Sequence, residues 1–377
     1  MSETTTHVIA EPPLRRTHEA AGAVFTHVEG RAVVRHYGDP PAEYRAVRDG
    51  AGLAERSDRA RIRMWGKDPA KMLHGLITND LTGAGAGQGV YAAMLTPKGR
   101  TLAELRAFRR SLEEVLVELP REALAGVAEH LRKFVPPMFA KWADVSDEVD
   151  QLGVHGPHAR AVLEQVLGEP LGEMPEDAFR EMRFGDVPVM VAATRYVGNE
   201  EGWDLFTRPT VLPALWDALR AAGAVPVGLE AIETLRIEAG RPRYGAELTE
   251  EVIPTEAFEE TGMMPRAISF TKGCYTGQEV IVRIAHRGHV NRHLRGFRLG
   301  DIPAPAAGTP LFHPDTGKEV GRLTSIAFSP MLGETIALGF ARREVEPRSQ
   351  LRLGAQDGPP AAVVLLPFQR GVQDGIV

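Results

Sequence analysis

Cys274 is the only cysteine of the chain, and it sits in the octet Lys272-Gly273-Cys274-Tyr275-Thr276-Gly277-Gln278-Glu279. A lone thiol cannot close an internal disulfide, and it cannot by itself supply the four thiolates of a typical cluster site. It can act as a nucleophile where its surroundings favour the thiolate. Lys272 brings a positive charge near the sulfur. Thr276 and Glu279 have the spacing of a helix capping box, which would set Cys274 just outside a helix N-terminus, where the dipole also favours an anion. Val280-Ile281-Val282 competes with that reading through its strand propensity. The plainer alternative is a small buried hydrophobe in a loop.

Two other stretches carry chemistry. Tyr196-Val197-Gly198-Asn199-Glu200-Glu201-Gly202-Trp203 offers a carboxylate on a glycine-flanked turn beside an aromatic ring. Both oxygens of such a group can accept at once from a ligand edge with two adjacent N–H donors. The segment 283–298 concentrates Arg283, His286, Arg287, His289, Arg292, His293, Arg295 and Arg298. It reads either as a polyanion site, for phosphates or a chain of carboxylates, or as a solvated surface that balances nearby acids. Other chemistries find no support. The glycine-rich run from Gly83 to Gly89 lacks the strand-then-helix setting of a dinucleotide loop, and no Walker lysine follows it. One cysteine and no HExxH pattern leave no zinc spacing, and no G-x-S-x-G elbow occurs.

The frame that must position these groups is an ordinary globular one. The 377 residues suggest two or three domains, 43% are hydrophobic, and the net charge is −6. That charge argues against a general nucleic-acid coat. No apolar run approaches the roughly 18 residues of a membrane span, and one cysteine fits the cytoplasm. The polar start reads as a frayed tail as far as Arg16. Spacing predicts a helix from Tyr44 to Leu53, a strand from Arg61 to Trp65, and a hairpin of Val90 to Leu95 with Thr101 to Phe108. Glu113 to Leu119 reads as a strand, and Arg121 to Phe134 repeats apolar residues at helical spacing and stops before Pro136. A second unit carries strands near Gln151, Asp186 to Thr194 and Trp203, with helices over Thr210 to Ala222 and Leu229 to Gly240. From Val290 onward, short apolar strands separated by Pro, Gly and Asp turns read as a small antiparallel barrel or sandwich. The whole is α+β rather than a doubly wound parallel sheet.

Read with its flanks, Ala267 to Glu279 closely resembles the signature of the YgfZ family. These are folate-binding proteins of iron–sulfur cluster assembly, related to the glycine-cleavage T-protein. Tyr44-Arg45 with Ala51-Gly52-Leu53, Leu76-Ile77-Thr78-Asn79-Asp80, Leu235-Arg236-Ile237-Glu238-Ala239-Gly240 with Tyr244-Gly245, and Gly321-Arg322-Leu323-Thr324-Ser325 resemble T-protein runs in the same order. The resemblance implies a three-domain T-protein-like arrangement around a central folate channel with a C-terminal antiparallel β-barrel. The implied domains are a discontinuous folate-binding domain of residues 17–55 and 143–288, an inserted α+β domain of 56–142, and the barrel domain of 289–377. It further implies tetrahydrofolate as cofactor, gripped by Glu200, with Asn79, Arg236, Lys272, Tyr275 and Gln278 around it and Cys274 as the functional thiol. The expected task is support of iron–sulfur enzymes in the cytoplasm, with iron–sulfur proteins or their assembly factors as partners and RNA as a possible contact of segment 283–298. The alternative is folate-dependent aminomethyl transfer. One departure bears on that choice: where aminomethyl-transferring T-proteins carry an Asp pair, this chain has Ala103-Glu104. Alanine cannot shuttle a proton, and a glutamate sets its carboxylate about a carbon's length further out.

Overall fold

The computed structural model describes residues 11–85, 87–198 and 201–370. Three large sheet systems and a two-stranded ribbon, Val24–Val28 with Arg31–His36, account for the architecture. A six-stranded sheet runs in the order Phe179–Phe184, Val187–Thr194, Gly202–Thr207, Asp150–His155, Gly52–Glu55, Val225–Pro226. Only its last pair is parallel. Helices Ala159–Leu167 and Leu212–Ala221 lie on one face and enclose Leu53, Leu152, Val154, Leu163, Trp203, Leu205, Leu215 and Trp216. A five-stranded sheet has the order Gly89–Leu95, Thr101–Arg109, Glu114–Pro120, Arg59–Gly66, Ala140–Asp144. Helix Leu124–Phe134 contributes Val127 and Leu131 to its core, together with Ile62, Met64, Leu105 and Val117. Strands from Arg292–Gly300 to Pro360–Val364 close a six-stranded antiparallel barrel around Phe297, Leu311, Leu323, Leu351 and Val363. The expected α+β T-protein-like fold with a C-terminal antiparallel barrel is what forms.

Local readings shift at three places. The helix expected from Tyr44 to Leu53 runs Pro40–Asp49, capped by the Asp39 side chain on the Ala42 amide at 2.9 Å. Gly52 then opens a strand, because a side chain there would collide with Val47 of the helix. A short helix, Arg15–Ala20, begins at the expected end of the tail, and its His18 is fully buried against Glu55; residues 1–10 of that tail lie outside the described residues. Val280-Ile281-Val282 lies inside helix Gln278–Arg287, so the strand alternative falls.

Strand alternation decides how the two open sheets meet. In Thr101–Arg109, Ala103, Leu105 and Ala107 enter the apolar core, so Glu104 and Arg106 face the opposite way. In Gly202–Thr207, Trp203 and Leu205 enter the other core and Asp204 faces away from it. These outward faces stack on each other through buried charge. Arg59 and Arg106 both pair with Glu118, Arg106 also pairs with Asp204 at 2.5 Å, and Arg59 reaches Glu104 at 3.2 Å. Beside this layer Phe108 packs on Phe179 and Phe206, with ring centroids 5.6 and 5.7 Å away.

Removing the shared carboxylate leaves two buried guanidinium groups without their common partner. Glu118→Gln is therefore expected to lower unfolding free energy by about 3–5 kcal/mol, measured by urea denaturation.

Candidate functional site

A cavity of about 650 Å³ opens where the helices of the six-stranded sheet, the five-stranded sheet and the barrel converge. Helix Pro40–Asp49 supplies Tyr44, and helix Leu229–Glu238 supplies Leu229, Ile232 and Glu233. Barrel strand Glu319–Ser329 supplies Ile326 and Phe328, and the segment leading into strand Arg59–Gly66 supplies Arg56 and Asp58, with Arg59 from the strand itself. Tyr196, Arg243 and Tyr244 complete the wall. The result is an aromatic and aliphatic slot with arginines spaced around it, the usual composition of a site that orients a flat ligand bearing charged groups.

Its polar groups are held by one another. The Arg56 guanidinium lies 5.3 Å from the centroid of the Tyr196 ring and donates to both oxygens of Asp58 at 3.0 and 2.9 Å. Burial would raise the Asp58 carboxyl, but Arg56 holds it below its ordinary value. Glu233 accepts from Arg236 at 2.8 and 2.6 Å and from Arg243 at 3.3 Å. Burial opposes its ionisation, yet the Arg236 and Arg243 charges bring it down to about 2. Tyr44 donates to buried Glu238 at 2.8 Å, and burial pushes its phenol up to about 12. Burial likewise raises Tyr196. Glu104, 2% exposed, accepts from the Tyr91 hydroxyl at 2.7 Å and from Arg59 of the cavity wall. Of the pair Ala103-Glu104, only Glu104 faces this polar side; Ala103 is sealed in the apolar core.

The sequence-derived candidates fall into separate places. Glu200 lies outside the described residues. Cys274 is exposed. The Lys272 ammonium turns away to the carbonyls of His74, Ile77 and Asn79 at 2.6, 2.7 and 2.8 Å, and burial pushes it down to about 8. Asn79 donates to the carbonyls of Tyr91 and Arg266, so it clamps the same turn. Tyr275 is buried, with its ring centroid 5.0 Å from the Lys272 nitrogen. The expected capping box does not form: Gly277, with φ 82°, is the N-cap, and no side chain caps the helix that Gln278 begins. None of Asn79, Lys272, Cys274, Tyr275 and Gln278 lines the cavity. Arg236 is fully buried and acts on the cavity through Glu233, with its remaining donors on Arg241, Glu247 and Ser325. The basic segment is largely neutralised: Arg292 pairs with Glu256, Arg295 with Glu260 and Arg298 with Glu334, which removes the basis for an RNA contact. Sequence reasoning passed over Arg56, Arg59, Glu233 and Arg243. Arg56 and Arg59 were signalled only by the charge-dense run Glu55-Arg56-Ser57-Asp58-Arg59 leading into a strand, and Glu233 and Arg243 by no local pattern.

Fold and cavity together define a protein built of two stacked open sheets and a closed barrel around one ligand-sized slot. Known proteins share this arrangement. The family described as "GCVT N-terminal domain" matches residues 14–266, and "Glycine cleavage T-protein C-terminal barrel domain" matches 292–369. The chain belongs to the glycine-cleavage T-protein family. It is 33% identical to an aminomethyltransferase of Saccharopolyspora erythraea, over 96% of this chain and 98% of that protein. It is also 33% identical to an aminomethyltransferase of Rubrobacter xylanophilus, over 95% and 94%. The glycine cleavage system aminomethyltransferase T from Bartonella henselae has the same fold, with a TM-score of 0.85, 22% identity and coverage of 96% and 98%. These relatives overturn the expectation that the chain supports iron–sulfur enzymes: the likeness carried by one octet yields to likeness along nearly the whole chain, and that likeness is to aminomethyltransferases.

His155 lies in the layer behind the cavity wall, fully buried and within reach of the charges of Asp204, Arg56 and Arg106. Burial lowers its pKa to about 4, against Asp204, which would raise it. As pH falls from about 6.5 to about 4, the unfolded chain takes up a proton that the folded chain refuses. The His155 contribution to stability is therefore expected to drop by up to about 3 kcal/mol across that window. Asp150 on the same strand, pushed up to about 7 by burial, contributes in the opposite sense, so the His155 share is read as the difference between parent and His155→Gln. Urea denaturation of both at pH 7 and pH 4.5 checks this: stability is expected to fall more, or rise less, in the parent.

Proposed function

We propose that the chain binds tetrahydrofolate in this cavity and transfers an aminomethyl-derived carbon to it, as an aminomethyltransferase of the T-protein type. The observation that carries the reading is the slot itself: Tyr44, Tyr196, Ile232 and Phe328 offer faces for a flat bicyclic ring, and Arg56, Arg59 and Arg243 offer partners for carboxylates. Glu200, four residues beyond Tyr196, is the carboxylate assigned to the paired N–H edge of the pterin. Arg236 serves as a positioning residue for Glu233. Asn79, Lys272, Tyr275 and Gln278 brace the turn around Thr78 and the start of the following helix, a supporting duty rather than a ligand contact. The octet then marks a variant turn within the T-protein fold.

The Ala103-Glu104 departure fits this reading. The first position of the pair points into the apolar core, where a carboxylate has no access to a ligand. The second keeps a carboxylate, Glu104, tied to Arg59 on the cavity wall. Glu104 does not itself line the cavity; it is a positioning residue, holding Arg59 of the wall with one oxygen while the Tyr91 hydroxyl meets the other.

Calorimetric titration with tetrahydrofolate, followed by an assay of methylenetetrahydrofolate formation with an aminomethyl donor, tests the proposal. Heat of binding and turnover are expected; a silent titration would refute it. Glu104→Gln is expected to weaken folate binding by about tenfold, because it takes from Arg59 of the cavity wall one of its two buried carboxylates. Cys274→Ala is expected to keep turnover within twofold of the parent, because residue 274 does not line the cavity. A tenfold loss would return the thiol to the chemistry.

A further inference from the structure

The layer between the two open sheets has more hydrogen-bonding capacity than its protein partners use. Along strand Asp150–His155, Leu152 and Val154 enter the apolar core, so Gln151 and His155 face the opposite way with Gly153 between them. Asp204 stands directly across from Gly153 on the neighbouring strand. Gln151 and Asp204 are 2% exposed and His155 is 0%. Yet both amide atoms of Gln151, both ring nitrogens of His155, Asp204 Oδ1 and Arg106 Nη1 are buried without a protein hydrogen-bond partner. Buried polar groups nearly always have partners, and a run of such atoms on one face of two paired strands points to something that supplies them.

The chemistry of that occupant follows from charge and from the mixture of groups. Arg56, Arg59 and Arg106 stand among Asp58, Glu104, Glu118 and Asp204, already joined in ion pairs. The two charged groups among the unpartnered atoms, Arg106 and Asp204, already neutralise each other, and among the described residues no metal-binding cluster forms there. The unpartnered atoms include donors (Arg106 Nη1, the Gln151 amide nitrogen) and acceptors (Asp204 Oδ1, the Gln151 amide oxygen), and a neutral imidazole has one of each. One small neutral molecule both donates and accepts at every contact, and it is water. Glycine makes room for the imidazole itself. A Cβ at Gly153 would come 2.5 Å from His155 Nε2, and one at Gly202 would come 2.5 Å from Nδ1, so each ring nitrogen stands over a bare backbone position.

We propose that this inter-sheet layer is an internal hydration site, in which ordered waters bridge Gln151, Asp204, Arg106 and His155 and hold the Arg106–Glu118–Arg59 chain in place against the cavity. The reading does not depend on which ligand the cavity takes. Gln151→Met conserves volume and removes two of the unpartnered atoms. If water satisfies them, the variant is expected to unfold at a urea concentration about 0.5 M lower than the parent. An unchanged or raised midpoint would overturn the proposal, because an unhydrated amide is relieved by an apolar replacement. A high-resolution crystal structure of the unaltered chain decides the matter if the variant fails to fold. Water density within hydrogen-bonding distance of Gln151 and Asp204 is expected, and a dry layer there would overturn it.

Discussion

Arg106 holds Glu118 of its own sheet and Asp204 of the other, and that guanidinium ties the two open sheets together, while Arg59 on the same Glu118 leads to the cavity. Arg106 extends the chain to Asp204 on the six-stranded sheet, and Arg59 extends it to Glu104 and to the cavity wall. Burying so many charges is costly, and well-packed apolar residues would often give a more stable interface. What charge provides instead is geometry. Carboxylate and guanidinium forks accept few relative orientations, whereas apolar faces slide. The apolar part of the same interface, Phe108 on Phe179 and Phe206, supplies burial but little register. With Arg106 held between Glu118 and Asp204, the pairing of the five-stranded sheet with its neighbour is set by ion-pair geometry, and the cavity wall at Arg59 is fastened to the same carboxylate.

The cavity inherits that rigidity. Arg59 reaches it already fixed by two carboxylates, and Arg56 reaches it fixed by Asp58 and stacked on Tyr196. Across the slot, Glu233 is pinned by Arg236, which is itself fastened to Glu247 and Ser325 beneath the barrel. Side chains prearranged in this way lose little freedom when a ligand arrives, so more of each contact appears as affinity or as rate. The same arrangement explains why a buried glutamate such as Glu104 is tolerated: Tyr91 and Arg59 meet its two oxygens before any ligand does.

Much of the scaffold was legible in local pattern, and little of this network was. The helical period from Arg121 to Phe134 and from Thr210 to Ala222, the hairpin around Pro97-Lys98-Gly99, and the Pro/Gly-punctuated strands after Val290 are short-range signals, and each has its counterpart in the fold. Arg59, Glu118 and Asp204 sit at alternate strand positions that read as solvent-facing, because a strand pattern distinguishes apolar from polar faces and not water from a second polar sheet. Arg59 and Glu118 are 59 residues apart, and Arg106 and Asp204 are 98 apart. No spacing rule links them. The basic segment shows the same limit in reverse. The sequence left it either as a polyanion site or as a surface that balances nearby acids, and the acids Glu256, Glu260 and Glu334 come to Arg292, Arg295 and Arg298 from other elements.

The octet shows how tertiary contact can override a sound local rule. Thr276 and Glu279 have the letters of a capping box, but the chain must pass close over the turn of the second hairpin. A side chain at position 277 would meet the Thr96 carbonyl at 2.7 Å, and one at position 99 would meet Val280 at 2.8 Å. Two glycines in left-handed conformations face each other there, Gly277 at φ 82° and Gly99 at φ 73°. That contact draws Gly277 into the N-cap position and leaves Thr276 donating its amide to the Gly75 carbonyl at 3.1 Å. Lys272 follows the same logic: buried under the turn, it meets three carbonyls that lie 193 to 198 residues earlier in the chain. Gly277 and Lys272 of this motif are accounted for by close packing of one turn on another, and such packing constrains residue types as tightly as a reaction centre does.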